Sequence, residues 1–134
     1  MKTYVLDASA LFAFLQHTAG GPKVSELFKE AAKLRLRILM SAVNYGEVYG
    51  RVLRDAGIVA AGRARSVIAT LPVELMNVTP EAAMRVAETK VTYRLDYVDS
   101  FAAALALEHK ATLVTSDSDF RKLGRGVPVV WLKS

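Results

Sequence analysis

The sequence predicts an α/β fold in which a short parallel sheet is covered by helices on both faces. Three short apolar runs, at residues 3–6, 38–40 and 112–115, have the length and composition of strands. The segments between them carry apolar residues at helical spacing. Strands that alternate with helices in this way form parallel sheets with both faces covered.

The first half of the chain contains two of these strands and four predicted helices. The expected order is a strand at residues 3–6, helices at 8–17 and 23–35, a strand at 38–40, and helices at 42–56 and 58–70. Pro22 suits the first turn of a helix, and Ser41 can cap the helix that follows the second strand. Gly57 can end that helix, because glycine readily adopts the left-handed conformation at helix ends.

The second half of the chain continues the alternation. It predicts a possible third strand within 72–78, helices at 80–93 and 96–110, a strand at 112–115, a helical turn at 119–123, and a final strand at 127–131. Thr79 can cap a helix in which Pro80 takes the first position. A length of 134 residues suits one domain, at residues 1–134.

Composition limits the classes of function. The chain has no cysteine, which excludes disulfides, thiol catalysis and thiolate metal sites, and which fits the reducing cytoplasm. No apolar run is long enough to span a membrane, and the N-terminus does not resemble a signal peptide, so we expect a cytoplasmic protein. The formal net charge of +5 favours a polyanionic partner such as a nucleic acid.

Acidic residues follow two of the predicted strands. Asp7 comes directly after the first strand, and Asp117 and Asp119 follow the strand at 112–115. In parallel sheets the functional crevice lies outside the carboxyl ends of the strands, so these side chains are expected to meet there. Glu47 and Asp99 lie on predicted helices and could reach the same crevice from its sides.

A group of carboxylates in one crevice predicts a metal site. Like charges repel, and burial makes this repulsion more costly unless a cation compensates it. A set of ligands made only of oxygen atoms selects hard cations, which points to Mg²⁺ or Mn²⁺.

Each acid also has a structural explanation. Asp7 could cap the following helix, and Asp99 could interact with a helix dipole. Glu47 could pair with Arg51, four residues later on the same helix. Asp119 could cap the turn that follows it, which would leave Asp117 as the ligand.

Four segments resemble, in order and spacing, the motifs of PIN-domain nucleases. They are VLDASAL at 5–11, EVYG at 47–50, DSFAAALA at 99–106 and LVTSDSDF at 113–120. The resemblance spans essentially the whole chain. It implies a three-layer α/β/α fold around a short parallel sheet, and cleavage of single-stranded RNA that depends on Mg²⁺ or Mn²⁺.

The resemblance also implies a biological setting and roles for individual residues. A free-standing domain of this length is similar to VapC-type toxins of type II toxin–antitoxin systems, which typically form homodimers and are silenced by a VapB-type antitoxin. It implies that Asp7 and Asp99 are the principal metal ligands, that Glu47 assists, and that Asp117 completes the quartet. Three further residues are possible participants: Asp119, and the hydroxyls of Ser9 and Thr115, which could orient a ligand or a water. Hydrogen bonding within turns is the alternative role of these hydroxyls.

Several features have a structural interpretation beside a functional one. Arg51 and Arg54 belong to a basic stretch typical of a solvated helix face. Gly46 and Gly50, four apart in a predicted helix, indicate close packing between helices within the domain, with a contact between subunits as the alternative. The alternative to a ribonuclease is a catalytically weak PIN-like module that binds RNA or a partner protein, and a DNA nuclease is a second rival.

Overall fold

A five-stranded parallel sheet forms the centre of the computed structural model, which describes residues 1–134. Its strands are β1 (Lys2–Leu6), β2 (Leu36–Ser41), β3 (Glu74–Met76), β4 (Thr112–Thr115) and β5 (Val129–Trp131). The third strand expected within 72–78 is confirmed as β3. The last strand begins later than expected, because Pro128 has no N–H to donate, although its carbonyl accepts from the Leu113 N–H at 2.9 Å.

Five helices and one short 3₁₀ helix connect the strands. They are α1 (Ala8–Leu15), α2 (Gly21–Ala32), α3 (Ala42–Ile68), α4 (Pro80–Tyr93), α5 (Tyr97–His109) and the 3₁₀ helix (Ser118–Leu123). Two predicted caps are confirmed: Ser41 Oγ accepts from the Val43 N–H at 3.2 Å, and Thr79 Oγ1 accepts from the Ala82 N–H at 3.1 Å. None of the helices combines the length and the apolar character that crossing a membrane requires.

Gly57 interrupts α3, as the sequence predicts. Its backbone has φ 88° and ψ 178°, whereas the residues on either side are helical. Residues other than glycine rarely adopt this positive φ, because their Cβ atom would clash with the backbone. The two expected helices at 42–56 and 58–70 are therefore the two parts of α3.

Helices cover both faces of the sheet. Alternate residues of a strand point to opposite faces, so each strand contributes to two cores. On one face α1, α2 and α3 pack against the sheet residues Leu6, Ile38, Met40 and Val114. On the other face α5 and the 3₁₀ helix pack against Val5, Leu39 and Leu113. Helix α4 packs outside α5 through Val86, Phe101 and Ala104. The predicted three-layer α/β/α architecture is confirmed.

The order of the strands determines where a site can form. The strand order is β3-β2-β1-β4-β5. The strands β2 and β3 therefore lie on one side of β1, and β4 and β5 lie on the other. Neighbouring connections diverge at such a switch point and leave a crevice at the carboxyl ends of the strands. Leu6 is in register with Val114, which makes Asp7 and Thr115 neighbours at this edge.

The expected close helix packing at Gly46 and Gly50 is wrong. Both glycines are exposed, and a Cβ atom added at either would meet nothing within 4 Å. The four-residue spacing placed both glycines on one side of a helix, where their lack of a side chain would let another helix approach. In the structure this side of α3 faces solvent.

Candidate active site

Four of the predicted acids line one crevice at the carboxyl edge of the sheet. The residues that line it are Asp7, Ala8, Ser9, Phe12, Glu47, Arg51, Asp99 and Asp117. Asp7 follows β1, Asp117 follows β4, Glu47 lies on α3 and Asp99 lies near the start of α5. The chain thus brings together carboxylates that are up to 110 positions apart in the sequence.

Asp7 is the most deeply buried of these acids, with only 5% of its surface exposed. Its Oδ1 accepts hydrogen bonds from the Ala10 N–H at 3.0 Å and from Ser9 Oγ at 2.7 Å, and its Oδ2 accepts one from Thr115 Oγ1 at 2.5 Å. Burial raises the pKa of Asp7 to about 6, although these donors act in the opposite direction. Asp7 therefore caps α1, as one explanation expected. Its Oδ2 keeps a lone pair for a further partner.

Ser9 and Thr115 connect Asp7 to the segment after β4. Ser9 Oγ accepts from the Ser116 N–H at 3.0 Å, and Thr115 Oγ1 accepts from the Asp117 N–H at 2.9 Å. Each hydroxyl thus accepts from the backbone while it donates to Asp7. The two interpretations of these residues are compatible, because the turn hydrogen bonds orient the hydroxyls toward the carboxylate.

The neighbouring carboxylates affect the pKa of Asp99 more than that of any other acid in the crevice. It lies near the start of α5, is partly buried, and has its pKa raised to about 7. Partial burial is the largest cause, followed by the negative charges of Asp117, Asp7, Asp96 and Glu47. A carboxyl with such a pKa lies in a site that is short of positive charge.

Glu47 is the most exposed of the four acids in the crevice. Its pKa is raised, mainly by partial burial, while Asn44 and the charge of Arg51 act in the opposite direction. Buried Asn44 lies three residues earlier on α3, and its Nδ2 donates to the Val98 carbonyl at 3.2 Å. This contact ties the helix that carries Glu47 to the residue that precedes Asp99.

The roles expected for Asp117 and Asp119 need a correction. Asp117, not Asp119, is the cap of the 3₁₀ helix: its Oδ1 accepts from the Asp119 N–H at 2.9 Å. Asp119 does not line the crevice, but carboxylate oxygens of Asp96, Asp99 and Asp119 lie within 4.8 Å of one another. Asp99 thus belongs to both groups of acids, and capping does not remove Asp117 from the crevice.

The residues present fit a hard divalent cation. Four carboxylates converge on one crevice, two of them with pKa values raised to about 6 and about 7. The ligand atoms are all oxygen, as Mg²⁺ and Mn²⁺ prefer, and a cation would offset both the burial and the mutual repulsion of the charges, which together raise these pKa values.

Arg51 and Phe12 are site residues that sequence reasoning missed. Both line the crevice, and the Arg51 guanidinium carbon lies 4.4 Å from the centroid of the Phe12 ring. Arg51 makes no ion pair with Glu47; its nearest carboxylate partner is Asp55, at 3.9 Å. The spacing from Glu47 correctly put Arg51 on the same side of α3, but only the packing of α1 against α3 brings it over Phe12.

Comparison with known proteins identifies the fold. The chain is similar to VapBC2 from Rickettsia felis bound to a DNA fragment from its promoter, with a TM-score of 0.76, 16% identity, and coverage of 98% of this chain and 99% of that one. It is similar to Mycobacterium tuberculosis VapC20, described as a toxin that cleaves the sarcin-ricin loop, with a TM-score of 0.72, 20% identity, and coverage of 90% and 95%. PAE2754 from Pyrobaculum aerophilum matches with a TM-score of 0.69, 23% identity, and coverage of 96% and 90%.

Comparison by sequence gives one match, to a family model. Curated protein sequences give no significant match. The family model of the PIN domain matches residues 4–126, which include all four acids of the crevice. This chain therefore belongs to the PIN domain family.

Proposed function

We propose that this protein is an endoribonuclease that depends on Mg²⁺ or Mn²⁺, with Asp7, Glu47, Asp99 and Asp117 as its catalytic carboxylates. The observation that carries the proposal is their convergence on one crevice at the switch point of the sheet. Ligands of α/β proteins bind at this position, and groups with raised pKa values concentrate at functional sites. Membership of the PIN domain family agrees with nuclease activity.

The same four carboxylates would hold one or two cations, with Asp7 and Asp99 as the principal ligands. A divalent cation at this position would activate a water molecule and neutralise charge on the phosphate under attack. The chain's own contribution is to fix the ligands: the hydroxyls of Ser9 and Thr115 hold Asp7 in one orientation. Asp119 is a possible additional ligand, since its carboxylate lies close to that of Asp99.

RNA, single-stranded or structured, is the proposed substrate. The net charge of +5 favours a polyanion even though the crevice itself is acidic. A cation between the acids and a phosphodiester resolves this conflict, because it is attracted to both. Among the similar structures, VapC20 is described as cleaving the sarcin-ricin loop, which supports RNA over DNA.

The purified protein is expected to cleave single-stranded RNA in Mn²⁺ or Mg²⁺, and not in EDTA. DNA of the same sequence is expected to remain intact under the same conditions. Product lengths on a denaturing gel measure cleavage, and calorimetric titration with Mn²⁺ measures binding of the cation.

Two outcomes would favour the rival functions. Cleavage of DNA in preference to RNA would identify a DNA nuclease. Binding of RNA without cleavage, together with no heat of Mn²⁺ binding at millimolar concentrations, would favour a catalytically weak module that binds RNA or a partner protein.

We further propose that the protein acts in the cytoplasm as a VapC-like toxin, that it forms a homodimer, and that a VapB-like antitoxin silences it. Several similar structures are described as VapBC or toxin–antitoxin proteins, which supports this setting. We expect a short neighbouring reading frame that encodes a DNA-binding N-terminal segment. Co-expression with its product should relieve toxicity and suppress cleavage, whereas unchanged toxicity would contradict the toxin–antitoxin proposal.

A further inference from the structure

One basic side chain lies among the acids of the crevice. Arg51 is the only lysine, arginine or histidine that lines it, and the other charged residues that line it are all carboxylates. Arg51 follows Glu47 by four positions on α3, so both side chains lie on the same side of that helix. The crevice therefore combines a group of anionic ligands with a single guanidinium.

The contacts of Arg51 leave its hydrogen-bond donors available. Its guanidinium lies over the ring of Phe12, which is only 6% exposed. This cation–π contact holds the charge in position without using an N–H···O hydrogen bond. The Nε of Arg51 is 3.9 Å from Asp55, and both side chains of this pair are about half exposed to solvent, so the pair is weak.

A guanidinium with free donors fits a phosphate group. Its planar arrangement of five N–H donors matches two oxygens of one phosphodiester, and such pairs are shorter and stronger than neutral hydrogen bonds. A phosphodiester that enters this crevice meets four carboxylates, so it needs positive charge that the acids do not supply. Arg51 provides such a charge from the protein itself.

We propose that Arg51, held in place by Phe12, binds a phosphodiester group of the RNA in the crevice. The inference rests on the proposed ribonuclease function, because it assumes that RNA enters this crevice. The competing explanation is that Arg51 only offsets the charge of the neighbouring acids. In that case its removal would alter the acids but would not remove a contact with RNA.

The test compares Arg51→Met with Arg54→Met in binding a short fluorescein-labelled single-stranded RNA, with Ca²⁺ present to occupy the acids. Arg54 is a matched control: it lies three residues later on α3, its side chain is 71% exposed, and its Nε contacts Asp55 at 2.7 Å. Fluorescence anisotropy at several salt concentrations gives the Kd and its salt dependence for each variant.

Arg51→Met is expected to weaken RNA binding by about tenfold at low salt, since a charge-assisted hydrogen bond is lost. The slope of log Kd against log salt should also fall by about 0.7, the value for one phosphate contact on a single strand. Arg54→Met should change the Kd by less than about twofold. Arg51→Lys should retain the salt slope but recover only part of the affinity, because lysine lacks the planar pair of donors.

Equal affinities of the Arg51→Met and Arg54→Met variants would overturn the inference, as would an absence of RNA binding by the unsubstituted protein. Cleavage in Mn²⁺ is measured separately. An unsubstituted protein that binds RNA through Arg51 and does not cleave it would refute the ribonuclease proposal while it supports the phosphate contact. Thermal melts of each variant confirm that the comparison is made between folded proteins.

Discussion

Replacing Asp7 or Asp99 with asparagine is expected to reduce RNA cleavage in Mn²⁺ by at least about a hundredfold. Both carboxylates line the crevice, and asparagine has nearly the same size without the negative charge. A divalent cation would therefore lose an anionic ligand while the shape of the crevice is preserved. The measurement is the initial rate of cleavage of a labelled single-stranded RNA by each purified variant.

The fold is expected to survive these substitutions. In the Asp7→Asn variant, the amide oxygen can still accept from the Ala10 N–H and from Ser9 Oγ, and asparagine is as good a helix cap as aspartate. The amide nitrogen can donate to Thr115 Oγ1, which accepts from the Asp117 N–H and has a second lone pair. Loss of cleavage would then reflect the chemistry of the site.

Glu88→Gln provides the control for charge removal. Glu88 is exposed on α4 and does not line the crevice, so this variant should cleave RNA at the rate of the unsubstituted protein. Circular dichroism establishes that all three variants are folded. Full activity of the Asp7→Asn and Asp99→Asn variants, once both are known to be folded, would overturn the proposed site.

The order of the elements could be predicted because local chemistry marks their ends. Ser41 and Thr79 begin helices through their hydroxyls, and Gly57 breaks α3 by adopting a positive φ. These effects depend on residues within three or four positions, so they can be inferred from the sequence. The start of β5 was less predictable, because it depends on the register with β4, in which Val129 is the first residue of β5 to pair, with Leu113.

The acids of the crevice could be predicted for a different reason. The carboxyl ends of parallel strands meet at one edge, so Asp7 and Asp117 had to be close once β1 and β4 were expected in the same sheet. The alternative that Asp119 is the cap is wrong because the 3₁₀ helix begins at Ser118, so that its capping position falls on Asp117, two residues before Asp119.

Features that depend on packing between helices could not be predicted from the sequence. Arg51 belonged to a basic stretch typical of a solvated helix face, and only the approach of α1 to α3 shows that it lies over Phe12. Gly46 and Gly50 had the spacing of a close contact, yet no element approaches them. In each case the spacing showed which residues share one side of a helix, but whether another element packs against that side depends on the tertiary structure.

The Asp7→Asn variant is also expected to be more stable than the unsubstituted protein at pH 8 in EDTA, by about 1–3 kcal/mol. Burial raises the pKa of Asp7 from 3.8 to about 6, so the folded state holds its proton more tightly than the unfolded chain does. At about 1.4 kcal/mol per pKa unit, ionising Asp7 costs the folded state about 3 kcal/mol. The lower end of the expected range allows for imperfect hydrogen bonds in the variant.

The sign of the pH dependence follows from the direction of this shift. Below pH 3.8 the carboxyl is protonated in both states and carries no penalty. Between pH 3.8 and about 6 the unfolded chain ionises first, so the stability of the unsubstituted protein falls as the pH rises. Above about pH 6 the full penalty is present. The advantage of the Asp7→Asn variant should therefore be large at pH 8 and nearly absent at pH 4.

Urea unfolding at pH 4 and pH 8, in EDTA and in Mn²⁺, measures these differences. Mn²⁺ should stabilise the unsubstituted protein at pH 8, because a ligand that binds only the folded state adds RT ln(1 + [L]/Kd) to its stability. The effect on the variant should be much smaller, because the variant lacks one anionic ligand and binds Mn²⁺ more weakly. The Glu88→Gln control should show no difference that depends on pH. An Asp7→Asn variant no more stable than the unsubstituted protein at pH 8 would mean that the buried charge costs the fold little. The acids of the crevice would then not need a cation to offset the cost of their buried charge, and the argument for a metal at this position would lose its electrostatic basis.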